Sequence, residues 1–266
     1  MANKTFKQEF GTISQFYDYI CETPINDAFR WKTLKSSVTT EEKFQFTKTH
    51  SFKEASDLLS NGWDDMSEEL TKRLAVAAKL QPTMQRKSVL SVSGYQPVVA
   101  LYLAGVPQNM IDTKMVAVKS KIINITKSVN YSGGTSTETM IAESIKALQV
   151  VKKLEAQGYR VNLSIALGTE ADHRNVLCKV CIKRANEKLN VSKLAFPMVH
   201  PSMLRRLFFR YVEVCPDVTY GYTHGYGAPV SFSDMRAAFP DDIVLPAFWD
   251  VDPNEIGTLD KLQASF

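Results

Sequence analysis

Three groups of residues in this sequence have the types that reactive sites are built from. Cys178 and Cys181 form a CxxC pair, with His173, His200 and Cys215 in the same region. Thiolates at that spacing hold zinc when both face one ion. Here the pair falls inside a predicted strand, where an offset of three points the side chains to opposite faces, so buried strand cysteines are expected and no metal. Glu170, Asp172 and His173 could move protons, yet they lie in a predicted loop between strands, where charged groups are also simply solvated. Ser128, Ser132 and Thr135, with Gly133 and Gly134, sit where a strand passes into a helix, the usual place for an anion at a helix N-terminus. The stretch lacks the Gly-Lys-Ser/Thr of a phosphate loop and the GxGxxG of a dinucleotide site. A capped turn is therefore expected, and the loop stays a candidate for a small ligand. No catalytic residue and no cofactor is assigned, and the protein is expected not to be an enzyme.

Two further features concern binding. Tyr220, Tyr222, His224 and Tyr226 alternate with Gly221, Gly225 and Gly227. Such rings offer flat faces to unpaired bases, or form an ordered loop covering a sheet. Charge is unevenly spread: residues 70–127 and 173–212 each carry nine basic residues against one acidic, whereas 213–266 carries nine acidic against two basic. Either the basic blocks merge into one cationic face for nucleic acid, or they pair with the acidic ends of the same chain. In the first case Lys119, Lys121 and Lys127, with Arg205, Arg206 and Arg210 on one later helix, are the candidate phosphate contacts. The apolar Leu204, Leu207 and Phe208 require that helix to pack on the core as well.

The elements that must position these residues follow from periodicity. Apolar spacing predicts helices over 14–21, 51–60, 67–80, 138–157 and 202–212, with Gly62 and Gly158 as stops. Thr135 and Glu138 have the spacing of a capping box. Strands are predicted over 115–125, 159–167 and 176–183, and irregular strands over 89–103. The strand–helix–strand order from 115 to 167 favours a right-handed crossover and a parallel pair. The fold expected is α/β: a parallel sheet flanked by helices, with an N-terminal helical extension over 1–88 and an α/β core with an acidic tail over 89–266.

The stretch from Ile122 to Leu167, IINITKSVNYSGGTSTETMIAESIKALQVVKKLEAQGYRVNLSIAL, resembles von Willebrand A type domains. That family's first strand ends in an Asp-x-Ser-x-Ser metal motif. Asn124-Ile125-Thr126-Lys127-Ser128 stands at the matching place without the aspartate, so the resemblance implies a Rossmann-type fold without the metal. The segments SFKEASDLLSNGW, GYQPVVALYLAGVPQNMI and LAFPMVHPSMLRRLFFRYVE resemble a widespread bacteriophage family whose members mostly lack an assigned function. The chain is also similar to phage early factors that bind single-stranded DNA and recruit a phage RNA polymerase. These resemblances imply a phage accessory protein with single-stranded nucleic acid and a phage or host polymerase as partners; the alternatives are a protein–protein interaction module and an uncharacterised enzyme.

The remaining bounds are broad. The 266 residues are 44% hydrophobic and 23% charged with a net charge of +4, an ordinary globular composition. No apolar run reaches membrane-spanning length and the N-terminus lacks a secretory layout, so a cytoplasmic location in the host cell is expected.

Overall fold

The computed structural model describes residues 4–39, 41–76, 85–116, 121–171, 173–218, 226 and 228–248. Its centre is a sheet of strands β1 (Lys4–Phe10), β5 (Ile122–Ser128), β6 (Arg160–Ala171), β7 (Arg174–Lys183), β8 (Ala228–Pro229) and β9 (Ile243–Leu245). The spatial order is β1-β7-β6-β5-β9, with β8 on the far end of β6. The pairs β1/β7, β5/β6 and β5/β9 are parallel, and β6 turns back on β7 as an antiparallel hairpin. The expected α/β class is therefore observed: a mainly parallel sheet flanked by helices.

Helix α6 (Thr137–Ala156) makes the crossover between β5 and β6. Its apolar positions bury Met140, Ile145, Leu148, Val151 and Leu154, each contributing about 1.5–3 kcal/mol relative to exposure. Ser136 caps it by accepting from the Thr139 N–H at 3.2 Å, in place of the expected Thr135. The helix ends at Gly158, whose φ of 91° suits glycine. Helices α1 (Ile13–Glu22), α3 (Phe52–Asn61), α4 (Asp64–Val76) and α7 (Val191–Val199), and the helical stretch 201–214, pack on the same side of the sheet.

The sequence expectation differs from the structure in three places. The stretch over 1–88 is more than a helical extension: its first residues form edge strand β1, and Phe10, Phe16, Phe29 and Leu70 share one core cluster with Phe196 and Phe208. Strand β1 alternates apolar Phe6 and Phe10 with Lys7 and Glu9, which suits a sheet with one wet face. The strand expected over 115–125 is two strands in different sheets. Strand β4 (Met110–Val116) pairs with β2 (Gln85–Ser91) and β3 (Gln96–Pro97) in a separate antiparallel sheet that carries α5 (Val99–Leu103). That sheet also straddles the boundary expected at 88/89.

Alternation along the strands gives the central sheet two unlike faces. Ile123, Ile125, Val161, Leu163, Ile165, Val176, Cys178 and Val180 point into the helical side. On the other side, short helix α9 (Phe232–Ala238) covers only a small cluster of Ala166, Leu177, Val230, Met235, Phe239 and Val244. Gly168 permits that cover, because a Cβ there would meet Leu177 Cδ2 at 2.7 Å, Met235 Cε at 2.9 Å and Val230 Cβ at 3.0 Å. Gly168→Ala is expected to cost about 1–3 kcal/mol by overpacking. Urea unfolding checks the loss, and faster amide exchange over 230–239 checks that α9 is the element displaced.

Candidate nucleic-acid interface

The arginines expected to hold phosphates point inward. Arg206 is fully buried: its Nε donates to Thr49 Oγ1 (2.7 Å), and its terminal nitrogens donate to the carbonyls of Ser36 (2.9 Å), Val38 (3.1 Å) and Thr49 (2.7 Å). Arg205, 3% exposed, donates to the carbonyls of Phe46 (2.7 Å) and Thr135 (2.8 Å) and stacks on the Phe46 ring. Burial lowers its pKa to about 10. Both lie in a π-helical turn, Met203–Phe208, where the widened helix accompanies two adjacent side chains facing the interior. Arg210 pairs with buried Glu213 at 3.3 Å and donates to Ser36 Oγ and Ser37 Oγ. Glu213 also accepts from the Ser36 N–H at 3.0 Å, the Ser36 hydroxyl and the Tyr226 hydroxyl. The three arginines thus clamp residues 36–38 and 46–49, on either side of and at the end of helix α2 (Glu41–Thr47), onto the later helix.

Tyr226 belongs to the same clamp. Its ring packs edge-on against Phe29 and Phe209, and its hydroxyl accepts from the Lys35 N–H at 2.9 Å. Burial, then the Glu213 carboxylate, pushes its phenol pKa up. Tyr220 and Tyr222 lie outside the described residues, as do His224, Asp172 and Lys119.

Lys127 is also interior, at 0% exposure. Its Nζ donates to the carbonyls of Pro246 and Ala247, the latter at 2.9 Å, and faces the Tyr131 ring. Desolvation lowers its pKa to about 7, opposed by Glu143 and reinforced by Lys146. Lys121 is exposed at the foot of β5. The other early lysines are dispersed: Lys72 pairs with Glu68 on α4, and Lys87 and Lys114 oppose one another across β2 and β4. The two basic blocks do not combine Lys127, Arg205 and Arg206 into a surface, because all three are buried.

The candidate ligand loop is split. Ser128 is buried, while Ser132 and Thr135 bond to each other at 3.1 Å on an exposed turn. Thr135 spends its carbonyl on Arg205. The CxxC cysteines part as expected: Cys178 lies in the helical-side core, where burial raises its thiol pKa well above the ordinary value, and Cys181 lines the opposite face. His173 is an exposed turn residue with φ 57°. Among the described residues, no group of three or more His, Cys, Asp or Glu is placed to hold a metal ion.

The uncovered half of the sheet is the site that remains. Asn124 and Ile122 from β5, Arg160, Asn162 and Ser164 from β6, Lys179 and Cys181 from β7 and Glu9 from β1 line a groove of about 600 Å³. Asn162 Nδ2 donates to Asn124 Oδ1 at 2.8 Å, and Asn162 Oδ1 accepts from the Ala185 N–H at 2.7 Å. Through Gly11, Cys181 and Arg184 the groove continues into a cleft of about 970 Å³ between α1, α3 and α7, lined also by Tyr17, Asp18, Glu187, Lys188 and Lys193.

The groove's carboxylates are committed. Lys179 bridges Glu9 (2.6 Å) and Asp242 (3.0 Å), and Lys7 reaches Glu9 at 2.8 Å. Burial opposes charge on Lys179, but its two carboxylate partners outweigh it and hold the pKa above the ordinary value. Arg160, Arg184, Lys188 and Lys193 are exposed and form no ion pair among the described residues. Arg184, Lys188 and Lys193 belong to the second basic block, whereas Arg160 and Asn162 were not singled out from sequence and Asn124 entered only through the stretch compared with the metal motif. Their signal was the alternation of polar residues along β5 and β6, which a sheet covered on both faces would not show.

The fold is thus that of an α/β protein with a one-sided helical cover and an open polar groove. The chain belongs to the DUF7192 family, described as a domain of unknown function, which it matches over residues 2–263. No curated protein and no solved structure matches it.

Two outcomes test this assignment of interior and surface. Arg206→Ala leaves buried carbonyls and Thr49 without donors, and is expected to cost about 3–5 kcal/mol in chemical denaturation. Lys188→Ala is expected to stay within about 0.5 kcal/mol. Because the folded pKa of Lys127 lies near 7, below an unfolded value near 10.5, the unfolded chain binds more protons between these values. Its contribution therefore raises stability with pH across that window, by up to about 1.4 kcal/mol per unit. Lys127→Met should remove that slope when unfolding is measured from pH 7 to 10.

Proposed function

We propose that the protein is a non-enzymatic nucleic-acid-binding protein that lays single-stranded nucleic acid along the open sheet face and into the adjoining cleft. One observation carries the reading: Arg160, Arg184, Lys188 and Lys193 border a continuous groove in which Glu9 and Asp242 are paired with lysines, leaving four cations against Asp18 and Glu187. Cations without ion pairs suit a phosphate backbone, and the Asn124 amide NH2 offers a donor to unpaired base edges. Tyr17 adds a half-buried ring at the cleft wall. The partner class is the one expected from sequence; the contact surface moves from Arg205, Arg206 and Arg210 to the sheet.

The phage resemblance supports the wider reading, an accessory factor acting in the host cytoplasm beside a polymerase-type partner. No helix among the described residues is long and apolar enough to cross a membrane.

Fluorescence anisotropy with a labelled oligothymidine tests the proposal. Affinity should fall steeply with salt, and Arg184→Ala and Lys188→Ala should each reduce the log–log slope by about 0.7, the share of one single-strand phosphate contact. Absence of binding at low ionic strength, or slopes unchanged in both variants, would falsify it.

A further inference from the structure

The three-stranded sheet formed by β2, β3 and β4 has a regular register and, among the described residues, no cover. Strands β2 and β4 pair over seven residues, Tyr95 N–H donates to the Ile111 carbonyl at 2.9 Å, and Val98 N–H to that of Asn109 at 2.7 Å. Gly94 lies so close to β4 that a Cβ would stand 2.2 Å from the Ile111 carbonyl oxygen. Yet no residue from 87 to 114 is buried. A sheet of this size needs a covered hydrophobic face, since ordering each backbone residue costs about 1–2 kcal/mol.

The apolar surface needed is present and faces outward. Of the eleven large hydrophobic residues exposed among the described ones, seven fall between 90 and 106. On α5, Val99 (64% exposed), Tyr102 (66%) and Leu103 (79%) have the spacing of one helical stripe, which is largely exposed among the described residues. Val92 and Tyr95 continue the patch at 70% and 65%. From the pairing register, Ser88 and Leu90 of β2 share a sheet face with Ile111 and Thr113 of β4 and Gln96 of β3. Lys87, Lys114 and Asp112 lie on the other face.

We propose that residues 85–116 are a dimerisation arm, whose apolar stripe on α5 and neighbouring Leu90, Val92 and Tyr95 are covered by the same surfaces of a second copy of this chain. The stretch 99–106 has no charged residue, so it offers phosphates nothing and meets its own copy without like-charge repulsion. The exposed side chains amount to roughly 600 Å² per chain. Two such faces bury about 1,200 Å², the lower bound of stable interfaces. A two-fold axis satisfies both arms at once, the commonest arrangement for identical chains. The outer edge of β2, unpaired among the described residues, adds main-chain donors and acceptors at the same place.

Sedimentation of the full chain at tens of micromolar, with a Tyr102→Glu/Leu103→Glu variant alongside, tests the arm. The wild type should sediment at twice its 29.9 kDa mass, and the variant at the monomer mass with unchanged thermal unfolding of the core. Amide exchange over 87–114 should quicken when the wild type is diluted. A monomeric wild type overturns the proposal, as does a variant that stays dimeric. Protection of the arm brought about only by the oligonucleotide would assign its surface to nucleic acid and also overturn it. Arg160, Arg184, Lys188 and Lys193 are untouched in the variant, so loss of dimerisation and loss of groove binding are read separately.

Discussion

The structure rests on an asymmetry in how the central sheet is covered. Helices α1, α3, α4 and α6 to α8, where α8 is Phe209–Val214, stack their apolar stripes on one face, and among the described residues only the seven-residue α9 reaches the other. A sheet left half open must carry polar side chains on the bare half, because apolar ones there would remain in water. The groove is therefore a consequence of the layering, and its chemistry is that of strand residues held at fixed spacing.

The buried polar network serves that layering. Arg206, with no counterion at bonding distance among the described residues, is kept inside by carbonyls and hydroxyls of Ser36, Val38, Thr47 and Thr49, and Glu213 collects donors from Ser36, Tyr226 and Arg210. Such a cluster contributes little net stability relative to a well-packed apolar one, but it fixes one arrangement of loop and helix. It also ties down the chain that follows α1, since Asn26 bonds the Glu213 and Cys215 carbonyls. Positive charge in the sequence was thus divided between two tasks, internal clamping and surface display.

Much of the local structure was legible from sequence. The apolar spacing of α6, its glycine stop and the β5-α6-β6 crossover were visible because they depend on neighbours within a few turns. Gly62 ended α3 for the same reason. What was not legible depends on distant partners: β1 is a strand because residues 174–180 stand beside it, and β8 has two residues. Arg205 and Arg206 read as surface charges, since nothing in LRRLFFR shows that carbonyls from residues 36–49 and 135 would meet them. The groove itself was half legible. Its cations stood in the second basic block, while the face they occupy had to be inferred from the alternation in β5 and β6.

The most direct test of the central claim is an amide-exchange footprint of the full chain with and without a saturating single-stranded oligonucleotide. The account predicts slowed exchange over 160–164 and 181–193, on the strands and loop that border the groove, with the interior helix 203–214 unchanged. Slowing confined to the arm or to residues 219–227, with none on the open sheet face, would contradict it.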